Sequence, residues 1–137
     1  MSQENVELVR EVMDLLDRTG AGAEPNPRLI TLFASDVEID MSRRVFNPDV
    51  YEGREGLRRL GREIAEVWEE FRITPERFIA AGDRVVVIET RRGRGRESGV
   101  DVEHRSAVIW TVRDGQVARM ETDLDPQQAL EAVGLRE

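Results

Sequence analysis

Residues 101–124, DVEHRSAVIWTVRDGQVARMETDL, decide the fold. Asp101–Val112 is rich in β-branched residues and reads as one long strand. Asp114-Gly115 is the dipeptide that a two-residue hairpin turn demands, because both of its central residues need a positive φ. Val117–Leu124 is the returning strand. Side chains alternate across a strand, so His104, Ser106, Val108 and Trp110 share one face, while Arg105, Ala107, Ile109 and Thr111 share the other. In the returning strand Ala118, Met120, Thr122 and Leu124 oppose Arg119, Glu121 and Asp123.

Upstream, the pattern stays that of strands back to Phe71. Val85-Val86-Val87-Ile88 lies within a strand at Arg84–Arg91, and Ala81-Gly82-Asp83 marks the turn from a strand at Phe71–Phe78. Gly93, Gly95 and Gly99 mark a loop. Before these strands the period changes. Leu57, Leu60, Ile64, Val67, Trp68 and Phe71 form the stripe of a helix from Gly53 to about Glu70. Arg43–Tyr51 is irregular, and Val37–Ser42 alternates as a half-buried strand. Asn26-Pro27 starts a short helix with Leu29, Ile30, Leu32 and Phe33 on its apolar side. The first helix has Ser2 as its cap, a stripe through Val9, Val12, Met13 and Leu16, and Gly20-Ala21-Gly22 as its end. Downstream, Asp125-Pro126 opens a last helix that Gly134 closes.

The order is helix, helix, strand, helix, four strands in meander, helix. This is an α+β class with one mostly antiparallel sheet, and the 137 residues fit a single domain, 1–137. The chain has no cysteine, and all twenty of its basic residues are arginine. Disulfides, thiolate chemistry and lysine Schiff bases are thereby excluded. A net charge of −8 argues against nucleic acid as the main partner. Residues 1–19 are amphipathic and acidic, unlike a signal peptide, and no apolar run reaches membrane-spanning length. A cytoplasmic location without a membrane partner is expected.

The joint order, together with Leu32-Phe33-Ala34-Ser35-Asp36-Val37-Glu38, Tyr51-Glu52-Gly53-Arg54-Glu55-Gly56 and Trp110-Thr111-Val112-Arg113-Asp114-Gly115-Gln116-Val117, resembles the SnoaL-like, nuclear transport factor 2-like superfamily. The resemblance runs from about Glu4 to Leu135. It implies a curved sheet wrapped by the N-terminal helices into a cone, with a pocket inside and often a dimer through the outer sheet face. The fold hosts isomerases, cyclases, hydrolases and non-catalytic binders, so it fixes no reaction. At the positions of the steroid isomerases' tyrosine and two aspartates this chain has Val12, Met41 and Val108, all apolar. The epoxide hydrolases' water-activating aspartate falls on Thr122 or, one residue on, Asp123. Glu89 and Arg91 imitate their acid–guanidinium pair in reversed order.

The candidate chemistry is therefore short. Histidine is the side chain whose unperturbed charge change falls near neutral pH, so His104, the only one, is a candidate general acid or base at the pocket mouth, or else a solvated strand residue. Glu89 and Arg91 form a pocket pair or a surface pair, depending on which way their strand faces. Asp40 is a carboxylate base or, by its parity, a surface group. The register that the resemblance implies turns the even-numbered strand face inward, and with Trp68 of the helix stripe at the cone floor and Tyr51 of the irregular segment it gives a ligand-binding set of Met41, Tyr51, Trp68, Ser106, Val108, Trp110, Met120, Thr122 and Leu124. Arg91, Arg92, Arg94 and Arg96 read as a basic hairpin tip. No cofactor motif is present, and one histidine cannot supply the usual zinc sets. The expected partners are a small apolar or aromatic molecule and a second copy of the chain, which would cover the apolar outer positions Ala107 and Ile109. The function expected is binding of that molecule in the cone. Two alternatives stand beside it: an enzyme of the cyclase, isomerase or hydrolase type using His104 with Glu89 or Arg91, and a structural homodimer with a filled cone.

Overall fold

A computed structural model describes residues 2–19, 26–44 and 47–135. The expected helix end at Gly20–Gly22 and the Ser2 side chain lie outside what is described. The elements run α1 Ser2–Thr19, α2 Pro27–Thr31, β1 Phe33–Asp40, β2 Val50–Glu52, α3 Gly53–Val67, β3 Trp68–Ala81, β4 Arg84–Gly95, β5 Asp101–Arg113, β6 Gln116–Leu124 and α4 Pro126–Ala132. The six strands form one sheet in the order β2-β1-β6-β5-β4-β3. The last four are the expected antiparallel meander. β1 joins it parallel to β6, and β2 pairs antiparallel with β1 on the far edge.

Each helix start has a local cause. Asn26 accepts a hydrogen bond from the Arg28 amide at 2.8 Å, ahead of Pro27 at the first helical position. Asp125 does the same for α4, accepting from the amides of Gln127 at 3.1 Å and Gln128 at 3.3 Å. The Asp114-Gly115 turn has φ of 53° and 74°, as its two-residue hairpin requires.

Four boundaries depart from the sequence reading. Phe33 opens β1 instead of ending the short helix, and β1 stops at Asp40. The end of the segment read as irregular, Val50 and Tyr51, belongs to β2. α3 ends at Val67, so Trp68 and Phe71 belong to a fourteen-residue β3. β4 continues through Gly93 and Gly95, which strand pairing holds flat: Gly93 faces Phe71 on one side and Val102 on the other.

The sheet has an inner and an outer apolar cluster. The inner one packs Val9, Val12 and Met13 of α1, Leu29 of α2, and Leu57 and Leu60 of α3 against Phe33, Ile39, Val85, Val87, Val108, Trp110 and Met120. The outer one packs Ala129 and Leu130 of α4 against Val86, Ile88, Ala107, Ile109 and Leu124. α4 therefore covers the outer residues whose apolar character suggested a partner. Further out along the strands the outer face turns charged. Arg105 pairs with Glu76 at 3.1 Å, Arg92 with Glu103 at 3.2 Å and Arg94 with Asp101 at 2.9 Å.

Candidate functional site

A cavity of about 190 Å³ lies between the inner sheet face, α1 and α3. Its wall is mostly apolar, with Met13, Leu29, Phe33, Ile39, Met41, Leu57, Leu60, Ile64, Ile73, Val108, Trp110 and Met120 contributing. Polar groups enter at Glu89, Arg91 and Thr122, and at Asp17, which Arg72 holds at 3.0 Å. A hollow of about 330 Å³ on the other side of α3 is lined by Val50, Glu52, Glu55, Gly56 and Arg59. Its arginine is already committed to Asp49 at 3.0 Å and Glu63 at 3.1 Å, and it holds no buried acid. The buried acid lies in the first cavity.

Register explains how Glu89 and Arg91 come to face inward. Glu89 pairs with Ser106, Arg91 with His104, and Val87 with Val108. The odd positions of β4 thus share a face with the even positions of β5. The question left open by alternation is settled for the pocket, and Glu89 is only 1% exposed. Arg91 bridges two acids: its Nε donates to Glu89 at 2.6 Å and its Nη1 to Asp123 at 3.0 Å.

Asp123 reaches Arg91 because β6 carries a bulge. Ala107 pairs with Leu124 and Ile109 with Glu121, so Thr122 and Asp123 together oppose Val108. Asp123 takes the extra place in the left-handed region, φ 60°, which aspartate tolerates better than most residues. Its carboxylate then meets Arg91, with the Thr122 hydroxyl 2.8 Å away. The choice between Thr122 and Asp123 has a double answer. Thr122 lines the cavity and Asp123 backs both Thr122 and Arg91.

Burial pushes the Glu89 carboxyl above the ordinary glutamate value, and Arg91 only partly offsets it, while Asp123 adds to the rise. A proton on Glu89 leaves a neutral array, with Arg91 balanced by Asp123. Ionised, the array carries one uncompensated negative charge at the end of an apolar cavity. The arrangement can present a carboxylic acid, a guanidinium and a hydroxyl to one polar group of a bound molecule.

Several expected residues stand elsewhere. The His104 side chain is 51% exposed, and its Nε2 lies 3.9 Å from Asp123, beyond hydrogen-bond reach and off the cavity wall. Asp40 is on the outer side, as parity indicated. Ser42 donates to it at 2.6 Å, and this bond, first among the causes, holds its carboxyl below the usual range. Arg119 and Arg43 approach it at 3.7 Å and 3.5 Å. Tyr51 is fully buried but off the wall, donating to Glu63 at 2.5 Å and accepting from Arg44 at 3.0 Å. Trp68 is not at the cavity floor: leaving α3 at the start of β3, its ring lies over Gly93. Leu124 is turned to the outer cluster by the bulge. Ser106 is buried opposite Glu89, though not on the wall. Met41, Val108, Trp110, Met120 and Thr122 line the cavity as expected.

The basic tip also dissolves. Arg91 is in the array, Arg92 and Arg94 pair across strands, and Arg96 donates to the carbonyls of Ala65 and Trp68, each at 3.1 Å. Sequence reasoning had Asp123 only as a register alternative, and missed Ile73, Leu57 and Leu60 as wall residues. The helical stripe through Leu57 and Leu60 was their visible signal. Among the described residues no group of three or more histidine and carboxylate side chains could hold a metal ion, and no helix is long and apolar enough to cross a membrane.

Known proteins bear on this geometry. No curated protein matches the chain at a significant level. Among solved structures, a nuclear transport factor 2-like protein from Burkholderia xenovorans LB400 is 24% identical, with 97% of each chain covered and a TM-score of 0.75. A proposed SnoaL-like polyketide cyclase from Jannaschia sp. CCS1 is 19% identical over 96% of this chain and 92% of its own, with a TM-score of 0.75. TerC, co-crystallized with polyporic acid, is 23% identical over 95% of this chain and 98% of its own, with a TM-score of 0.71. These likenesses establish the cone fold. The model of the SnoaL-like domain matches residues 9–120, most of the cavity wall though not Thr122, and the chain therefore belongs to the SnoaL-like family.

Proposed function

We propose that the chain binds a small, mostly apolar or aromatic molecule in the cone, with one polar group of that molecule seated against Glu89, Arg91 and Thr122. The observation that carries this reading is the wall itself: a buried apolar cavity with polar side chains converging at one place, which is how small-molecule sites are built. That TerC was co-crystallized with polyporic acid supports the use of this fold to hold an organic molecule. A filled structural cone is the less favoured reading, because the interior leaves about 190 Å³ open.

The test is direct binding. A panel of cyclic hydrocarbons, ketones and alcohols of six to twelve carbons is screened by ligand-observed NMR, with Gly61→Leu as the control. Gly61 is exposed, lines the cavity, and has open space where a Cβ would stand. Binding that Gly61→Leu abolishes supports the reading. Binding indifferent to it, or none across the panel, sinks it.

A second reading, catalysis, is favoured by one observation: Glu89 touches the cavity and keeps its proton to higher pH than an ordinary glutamate. A carboxyl so poised is a general acid toward a substrate oxygen. Thr122, backed by Asp123, is the opposite hydrogen-bonding group. On this reading turnover falls as pH rises through the Glu89 value and is lost in Glu89→Gln, while binding survives. The His104-centred mechanism has less support, and His104→Ala with unchanged turnover removes it. A cytoplasmic location belongs to the same proposal and is tested by fractionation.

A further inference from the structure

Beyond the acid array the inner face of the sheet runs out of the core as an apolar shelf. Gly93 lies two residues past Arg91 with the same inward parity, roughly 7 Å along β4 at about 3.3 Å per residue. Phe71 pairs with it on one side and Val102 on the other, and Trp68 pairs with Gly95. A Cβ on Gly93 would stand 2.7 and 2.8 Å from two bonded atoms of the Trp68 six-membered ring and 3.2 Å from a third. Those distances put it above the ring face rather than at its edge. The indole therefore lies flat on the inner side of β4, with its other face turned away from the sheet. It is half-buried and belongs to neither apolar cluster. The Phe71 ring is beside it, centroids 5.9 Å apart, and Phe71 also lines the cavity. Of the four exposed large apolar side chains among the described residues, three gather at this end of the sheet. They are Val102, Val67, which directly precedes Trp68, and Val100, whose carbonyl accepts from the Gly95 amide at 3.0 Å.

The cavity opens toward this shelf. Its wall is buried at Ile39, Val108 and Trp110, and comes to the surface at Asp17, Gly61, Ile64 and Phe71. At about 190 Å³ it is smaller than the roughly 300–1,000 Å³ of ordinary small-molecule sites, so a ligand of common size extends past the array. We propose that Trp68, Phe71 and Val102 form an outer subsite, on which a flat aromatic part of the same ligand stacks. The ligand then has an apolar part in the cavity, a polar link at Glu89 and Arg91, and an aromatic ring on the shelf. This rests on the reading of the cone as a binding site and deepens it: the ligand is apolar on both sides of its polar group. Phe71 makes the shelf continuous with the cavity wall. One indole face and three valines fall well short of the roughly 800 Å² per partner that a stable protein interface buries.

The probes are cyclohexyl methyl ketone and 1-cyclohexyl-3-phenylpropan-1-one, which adds a phenyl ring on a two-carbon arm beyond the carbonyl. The methyl signals of Met13, Met41 and Met120, all on the wall, report whether the cavity is filled. The chain has two tryptophans, and Trp68→Leu assigns their indole N–H signals. Both ketones are expected to move the methyls. Only the longer one is expected to move the Trp68 N–H, and to bind roughly tenfold tighter, as burying one more ring against apolar surface allows. Trp68→Leu should erase that preference and leave the affinity of the short ketone as it was. Val100→Ser combined with Val102→Ser, which spares the indole and its packing on Gly93, should do the same. If both ketones fill the cavity with equal affinity and the Trp68 N–H stays put, the outer subsite is refuted and the binding reading stands. A preference that survives both variants refutes it as well. If the serine variant changes the sedimentation coefficient and not the preference, a second copy covers the shelf and the subsite is overturned. If neither ketone moves the methyls at millimolar concentration, the binding reading fails and the subsite with it.

Discussion

Arg91 holds two carboxylates that have little water to turn to, since it is 12% exposed and Asp123 13%. Arg91→Met leaves both acids without a counter-charge. Breaking a buried pair from one side costs roughly 3–5 kcal/mol, and urea unfolding at neutral pH is expected to show a loss of that size. The loss should shrink in acid, where the Glu89 carboxyl keeps its proton and needs no counter-charge. Glu89 gives the complementary prediction. Its folded value lies above the ordinary 4.5, so the native state holds a proton that the unfolded chain has released. The stability Glu89 contributes is full below the ordinary value and is lost as pH rises through the folded one. Glu89→Gln lacks that dependence. The stability of Glu89→Gln minus that of the wild type should therefore climb with pH above 4.5, read from unfolding curves at several pH values; a flat difference would refute the raised carboxyl. The sequence showed Glu89 and Arg91 as a pair, since two residues apart on a strand they share a face. It could not show that face to be the inner one, because the β-branched run Val85–Ile88 is apolar in both phases and alternation carries no signal there.

At the level of elements, α3 and α4 make separable predictions. Gly61→Leu replaces a helix-interior glycine where nothing lies within 4 Å of the new Cβ. Helix propensity then favours the variant by about 0.5–1 kcal/mol, so a small rise in melting temperature should accompany the blocked cavity. Asp125→Ala removes two amide hydrogen bonds from the start of α4. Loss of such a cap costs about 0.5–2 kcal/mol, and hydrogen exchange should quicken first in α4 and then at Val86, Ile88 and Ile109 beneath it. Gly93 shows what the sequence concealed. It read as loop punctuation, yet it sits in β4 because a Cβ there would come within 2.7 Å of the Trp68 ring. Its reason is a neighbour from another strand, invisible in a local window. The helix caps and the Asp114-Gly115 turn were legible because their causes are local. The end of α3 was not, since Trp68 and Phe71 continue the helical stripe in register while β4 recruits them as strand.

Across the whole molecule, the apolar outer face that suggested a second copy is covered by the chain's own α4. Those residues therefore do not call for a second copy, and sedimentation at micromolar concentration tests the homodimer expected from the sequence: a monomer there removes it. The order of elements was enough to reach the family, because a cone needs its helices before its meander. The site was less legible, because it depends on irregularities in the ladder. Two of those irregularities are aligned. Glu76 is the extra residue of β3 between Pro75, paired with Glu89, and Arg77, paired with Ile88. Ile88 pairs with Ala107, and Ala107 with Leu124, next to the extra residue of β6. The two insertions thus lie on one line across four strands, a crease in the sheet, and the acid array sits along it. Asp123 serves the crease twice, as an added length of backbone and as a charge. Exchanging it for asparagine alters the charge alone. Deleting it straightens the ladder and leaves Leu124 opposite Ala107 under α4, because Leu124 then follows the inward-facing Thr122 directly, while Arg91 loses its second acid. In this chain the bend of the sheet and the acid at the bend are written in the same codon.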